Sequence, residues 1–104
     1  MKRDKYPTEE ELKSIKEWDV VTNPFGLIDF IKGLWRYPDY FIVKGKQVIN
    51  LELHTVGWSG NEDIIRALQE NKFFFLLYWQ KSTRGGHYYF RIEKFRSKRI
   101  RKKK

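Results

Sequence analysis

Residues 48–54, Val-Ile-Asn-Leu-Glu-Leu-His, alternate apolar and polar side chains with a period of two. Successive side chains of a strand point to opposite faces, so Ile49, Leu51 and Leu53 share one face and Asn50, Glu52 and His54 the other. A strand with one greasy and one polar face belongs to a sheet covered on one side only. That single pattern excludes a helical bundle and a fully buried parallel sheet, and it requires other elements to cover the greasy face.

The covering elements are legible from their start signals. Thr8-Glu9-Glu10-Glu11 fits a capping box, with acids in the first turn where the helix dipole favours them. Leu12, Ile15 and Trp18 follow at helical spacing, which predicts a helix over residues 8–18. Asn23-Pro24 is a second start, an N-cap followed by proline at the first helical position. Leu27, Ile28, Ile31, Leu34 and Trp35 form the stripe of a helix running to about residue 37, where Pro38 stops it. Ser59 and Glu62 make a second capping box, opening a helix with Ile64, Ile65 and Leu68 on its buried side and Asn71 as its stop.

The remaining segments read as strands. Tyr-Phe-Ile-Val at residues 40–43 precedes Lys44-Gly45-Lys46-Gln47 and the alternating strand, a β-hairpin with glycine in the turn. Residues 72–80 and 87–95 are aromatic-rich and β-prone, and "KSTRGG" between them predicts a second hairpin. Residues 73–79 lack polar alternation and read as a central strand. In the last strand Tyr88, Phe90 and Ile92 oppose His87, Tyr89, Arg91 and Glu93. The order is α-α-β-β-α-β-β, which predicts a single-domain α+β fold: a four-stranded, mainly antiparallel sheet with helices packed on one face.

Charge divides the chain unevenly. Of 22 cations, seven lie in residues 96–104, leaving 15 cations against 13 acids in the rest. The expectation is one globular domain over residues 1–95 and a disordered basic tail over residues 96–104. No cysteine is present, so disulfides, thiolate metal sites and a cysteine nucleophile are excluded. The start of the chain lacks the apolar stretch of a secretory signal, and no apolar run is long enough to span a bilayer. A cytoplasmic protein with no membrane partner is expected.

Gly57-Trp58-Ser59-Gly60-Asn61 is one residue short of the elbow that presents a nucleophilic serine, and the capping box accounts for Ser59 instead. Trp58 lies where a hydrophobic staple would begin, but its partner position holds Asp63. It is therefore either a core residue or, with Trp79, an interaction anchor. The loop before His87 is not a phosphate-cradling Walker loop, because the glycine spacing is wrong. The RNA-recognition sheet signature is also absent.

Three functional readings remain. A small nucleic-acid-associated binding protein would use Arg84, Tyr89 and Arg91 on the sheet, with Arg96, Lys98, Arg99, Arg101, Lys102, Lys103 and Lys104 of the tail adding non-specific affinity. A small metal-independent RNase would use His54 and His87 with Glu52 orienting His54; this requires both imidazoles on one face. A protein-interaction or inhibitor module without catalytic activity would use Trp58, Trp79 or the sheet face. Binding rather than catalysis is expected, to nucleic acid or to a protein partner, with no cofactor and no metal. Oligomeric state does not follow from the sequence.

Overall fold

A computed structural model of the chain describes residues 6–93. Helix α1 (Glu9–Glu17) begins at the expected capping box: the Glu11 amide donates to Thr8 Oγ1 at 3.1 Å, and the Thr8 amide donates to Glu11 Oε1 at 2.9 Å. Helix α2 (Pro24–Leu34) starts on Asn23, whose Oδ1 accepts from the Gly26 amide. It ends three residues before the expected position. Asn61, a buried residue from the next helix, accepts from the Arg36 amide and donates to the Arg36 carbonyl, both at 3.0 Å. These tertiary bonds occupy backbone groups that another helical turn would have used.

A single 3-10 turn (Pro38–Tyr40) leads into β1 (Phe41–Lys44) and β2 (Val48–His54). Helix α3 (Ser59–Glu70) follows, with one correction to the sequence reading. Its N-cap is Trp58, not Ser59, and the Ser59–Glu62 capping box does not form. The turn from Thr55 closes with the Trp58 amide on the Thr55 carbonyl, so the helix begins one residue early and Trp58 supplies its first accepting carbonyl. Ser59 instead donates to the Tyr6 hydroxyl at 3.1 Å.

The second correction concerns residues 72–78. They form helix α4 (Lys72–Tyr78) rather than a central strand. Asn71 decides this: its amide caps α3, and its Oδ1 accepts from the Phe73 and Phe74 amides to start α4. Phe74 and Tyr78, one helical turn apart, are buried, while Phe73, Leu76 and Leu77 face outward. Capping and the burial of one helix face thus override β propensity. Strand β3 (Trp79–Thr83) is short and exposed along its length, and β4 (His87–Glu93) completes the sheet.

The sheet order is β1-β2-β4-β3, antiparallel throughout. The two hairpins therefore meet through β2 and β4. Leu51, Leu53, Phe90 and Ile92 point to the covered side, where they join Ile15, Leu27, Ile31, Trp35, Ile64, Leu68 and Phe74 in one core. The α+β class and the four-stranded antiparallel sheet with helices on one face are as the sequence indicates. Among the described residues no helix is long and apolar enough to cross a membrane.

Candidate functional site

The register places the polar positions of β2 and β4 directly opposite one another: Asn50 with Arg91, Glu52 with Tyr89, and His54 with His87. All six side chains occupy the open face. Ile42 and Lys44 join them from β1, opposite Glu52 and Asn50. From β3, Lys81 and Thr83 lie opposite Tyr89 and His87.

The histidines touch. His54 Nδ1 and His87 Nδ1 are 2.7 Å apart, and Glu52 Oε1 lies 3.6 Å from His54 Nε2. A contact that short between two ring nitrogens holds one proton, donated by one ring and accepted by the other. If His54 carries its proton on Nε2, the nitrogen nearer Glu52, then His87 Nδ1–H is the donor to His54 Nδ1. His87 Nε2 then carries the free lone pair and faces Gly85 in the turn between β3 and β4. Glu52 also sits 3.6 Å from Lys44 Nζ, so a cation on its other side balances it.

Aromatic rings continue on both sides of the pair. Tyr40 meets His54 edge-on at 6.4 Å between centroids, and Tyr89 meets it at 5.9 Å. The Lys81 ammonium lies 5.0 Å from the Tyr89 ring centre, an attractive cation–π arrangement. The face thus carries an unbroken track: Tyr40, His54 with His87, Tyr89, Lys81.

Beside the histidines is a cavity of about 390 Å³, lined by Asp39, Tyr40, Ile42, His54, Val56 and His87. Two backbone positions near it are unusual. Tyr37 (φ 66°), just before the 3-10 turn that carries Asp39 and Tyr40, and Val56 (φ 55°) are the non-glycine residues with positive φ among those described. Non-glycine residues in this region cost free energy and persist where surrounding contacts hold them. Those contacts are visible. The Thr55 amide donates to the Gly86 carbonyl at 2.9 Å, tying the loop after β2 to the turn before β4. Gly86 permits this close approach: at φ 82° a Cβ would collide with Thr55 Oγ1.

Of the other residues singled out in the sequence, Arg84 lies exposed in the turn and Arg91 exposed on β4, 3.9 Å from Glu93. Trp79 is 45% exposed. Trp58 is buried and is no surface anchor: its ring lies over Gly60, where a Cβ would strike it, and it packs at a tilt against Tyr6 at 4.9 Å and under the Arg36 guanidinium at 5.1 Å. Arg96, Lys98, Arg99, Arg101, Lys102, Lys103 and Lys104 lie outside the described residues, as does the boundary between residues 95 and 96. Among the described residues no three His, Cys, Asp or Glu side chains are grouped as a metal would require.

Sequence reasoning passed over Asp39, Tyr40, Ile42 and Val56. Counting back through the first hairpin would have set Ile42 opposite Glu52. Nothing comparable marks Val56, whose position follows from the tight turn after β2. Comparison with protein-family models, with curated proteins and with solved structures finds no match for the chain.

Proposed function

We propose that the chain binds single-stranded nucleic acid across the open face of its sheet. The observation that supports this reading is the track of Tyr40, His54, His87, Tyr89 and Lys81 on the open face, with Tyr40 and Lys81 exposed and the other three part-buried. Flat rings on a sheet stack unpaired bases, and stacking tolerates any sequence because every base has a π face. Lys81 and Arg91 on this face, and Arg84 in the adjoining turn, supply donors for phosphate. The seven cations of residues 96–104 begin three residues after β4 and add affinity through counterion release. In this reading the site of action is the cytoplasm.

Binding is favoured over RNA cleavage by the histidine contact itself. Cleavage through 2′-hydroxyl attack needs a base and an acid on opposite sides of the phosphate, whereas His54 and His87 hold one proton between them as a unit. The test is fluorescence anisotropy with single- and double-stranded oligonucleotides at low and high salt. Single strands are expected to bind more tightly, and Tyr89→Ala to weaken them by about 1–3 kcal/mol. Replacing the cations of residues 96–104 with glutamine should flatten the salt dependence. Equal affinity for both forms, with no effect of Tyr89→Ala, would refute the reading.

A second reading has one observation in its favour. Phe73, Leu76, Leu77 and Trp79 are exposed on α4 and the start of edge strand β3, an apolar surface suited to a protein partner. A shift from larger to monomeric species on Leu76→Glu, read by sedimentation, would support it; a strict monomer before and after would count against self-association.

A further inference from the structure

We propose that the exposed apolar side of α4, together with Trp79, seats the chain on an anionic phospholipid surface. Phe73, Leu76 and Leu77 stand at i, i+3 and i+4 and share one side of the helix, turned away from the buried Phe74 and Tyr78. Leu76 is 76% exposed, and Phe73, Leu77 and Trp79 are exposed with it. Large apolar side chains gathered in this way on a surface mark a protein or membrane contact. A strand over the same residues would present no such side; it exists because Asn71 starts a helix there.

This is also the surface that would suit a protein partner, and charge decides for lipid. Lys72 opens α4 and Lys81 follows Trp79 by two residues, both exposed. Trp79 pairs with Phe90, and β4 runs antiparallel to β3 and ends at Glu93, about 10 Å further along the strand. The chain therefore leaves the sheet at the end where α4 joins β3, and the seven cations of residues 96–104 follow after two more residues. An apolar surface and a polybasic segment are the two signals that together hold a protein on a membrane. Anionic headgroups attract each nearby Lys or Arg, and the cytoplasmic leaflet is the anionic one. Trp79 suits the interface because its ring is apolar and its N–H is polar.

The carboxylates near α4 decide which part goes in. Glu17, Asp19 and Glu70 line a depression with Lys72 and Phe73 at the start of the helix. Glu70 pairs there with Lys16 at 3.3 Å, and Asp19 accepts from the Thr22 hydroxyl. These polar groups keep that end among the headgroups, while Leu76, Leu77 and Trp79 at the other end enter the acyl boundary. Seven residues are too few to span a bilayer, so the contact is with one surface. Tyr40, His54, His87 and Tyr89 take no part, and the inference goes beyond the reading of the open face without depending on it.

The experiment is co-sedimentation of the full chain with vesicles of phosphatidylcholine alone, or of phosphatidylcholine and phosphatidylserine mixed two to one. The mixed vesicles are expected to bind about a hundredfold or more tighter than the neutral ones, and high salt to weaken them. Leu76→Ser with Leu77→Ser removes apolar surface without changing charge and should weaken mixed-vesicle binding about tenfold or more. Both side chains are exposed, so the fold is expected to be unchanged, as circular dichroism checks. Tryptophan emission should move to shorter wavelength on the mixed vesicles, and Trp79→Phe should abolish most of that shift.

Equal binding by the double serine variant and the wild type would show that the cations adhere alone, and overturns the inference. No binding to mixed vesicles also overturns it, as does a wild-type dimer that ignores lipid, the result a protein partner predicts. Oligonucleotide anisotropy keeps the two readings apart. The double serine variant should retain wild-type affinity for single strands, and Tyr89→Ala should retain wild-type affinity for mixed vesicles. Failure with vesicles leaves the open-face reading standing, and failure with oligonucleotides leaves the lipid contact standing.

Discussion

Val56 is β-branched, 46% exposed, and held at a φ where such side chains crowd the following carbonyl. Replacing it with glycine removes the crowding at small loss of buried surface. Val56→Gly is expected to raise stability by about 1 kcal/mol, seen as a higher urea midpoint. Asp19 offers a test of a different kind. Its carboxylate accepts from the Thr22 hydroxyl at 2.9 Å and from the Thr22 and Val21 amides, and these bonds, the Thr22 hydroxyl first, hold its carboxyl below the ordinary value. A carboxyl lowered by folding stabilises the protein above its unfolded pKa of about 3.9 and loses that contribution as pH falls through the folded value. The stability deficit of Asp19→Ala should therefore be present at neutral pH and shrink progressively below about pH 4, measured by urea unfolding.

Among the elements, three helices meet at one side chain. Asn71 caps the end of α3 and starts α4, and its Nδ2 donates to the carbonyls of Ile15 at 2.8 Å and Trp18 at 3.1 Å at the end of α1. The residue is buried, so truncation removes four hydrogen bonds at once; the Ile15 carbonyl keeps the Trp18 amide and the Phe74 amide keeps the Asn71 carbonyl, while the Phe73 amide and the Trp18 carbonyl lose their bond to the side chain. Asn71→Ala is expected to cost about 3 kcal/mol or more by chemical denaturation. Asn71→Asp should recover only part of this, because it keeps the acceptor and loses the donor. This residue also shows where the sequence is informative and where it is not. Asn71 reads correctly as the stop of α3, and Thr8 and Asn23 as starts, because each acts on its own neighbours. That Asn71 also begins a helix is obscured by the segment that follows. In Phe-Phe-Phe-Leu-Leu-Tyr every position is apolar, so a period of 3.6 and a period of two fit equally well. The faces of β2 and β4 were readable in the same local way. The contact between His54 and His87 was not, because it joins residues 33 apart and depends on which strands are neighbours. Asn61, which shortens α2 from 25 residues away, escapes a local reading for the same reason.

At the level of the whole molecule, the order β1-β2-β4-β3 means that neither hairpin contains the site. Residues of the first supply Glu52, His54 and Ile42, and residues of the second supply His87, Tyr89 and Lys81. Helices α3 and α4 lie between the two in the chain, so long-range closure must occur before the imidazoles can meet. The contact between the two Nδ1 atoms exists only in the joined state, at the seam between the hairpins rather than at an outer strand. The imidazole signals of His54 and His87 are expected to lose their mutual shift with denaturant along the global unfolding curve. Loss of the mutual shift at denaturant concentrations where the amides of β2 and β4 stay protected would show that the imidazoles part on their own. One pair of nuclear magnetic resonance signals thereby becomes a gauge of whether the two hairpins are latched together.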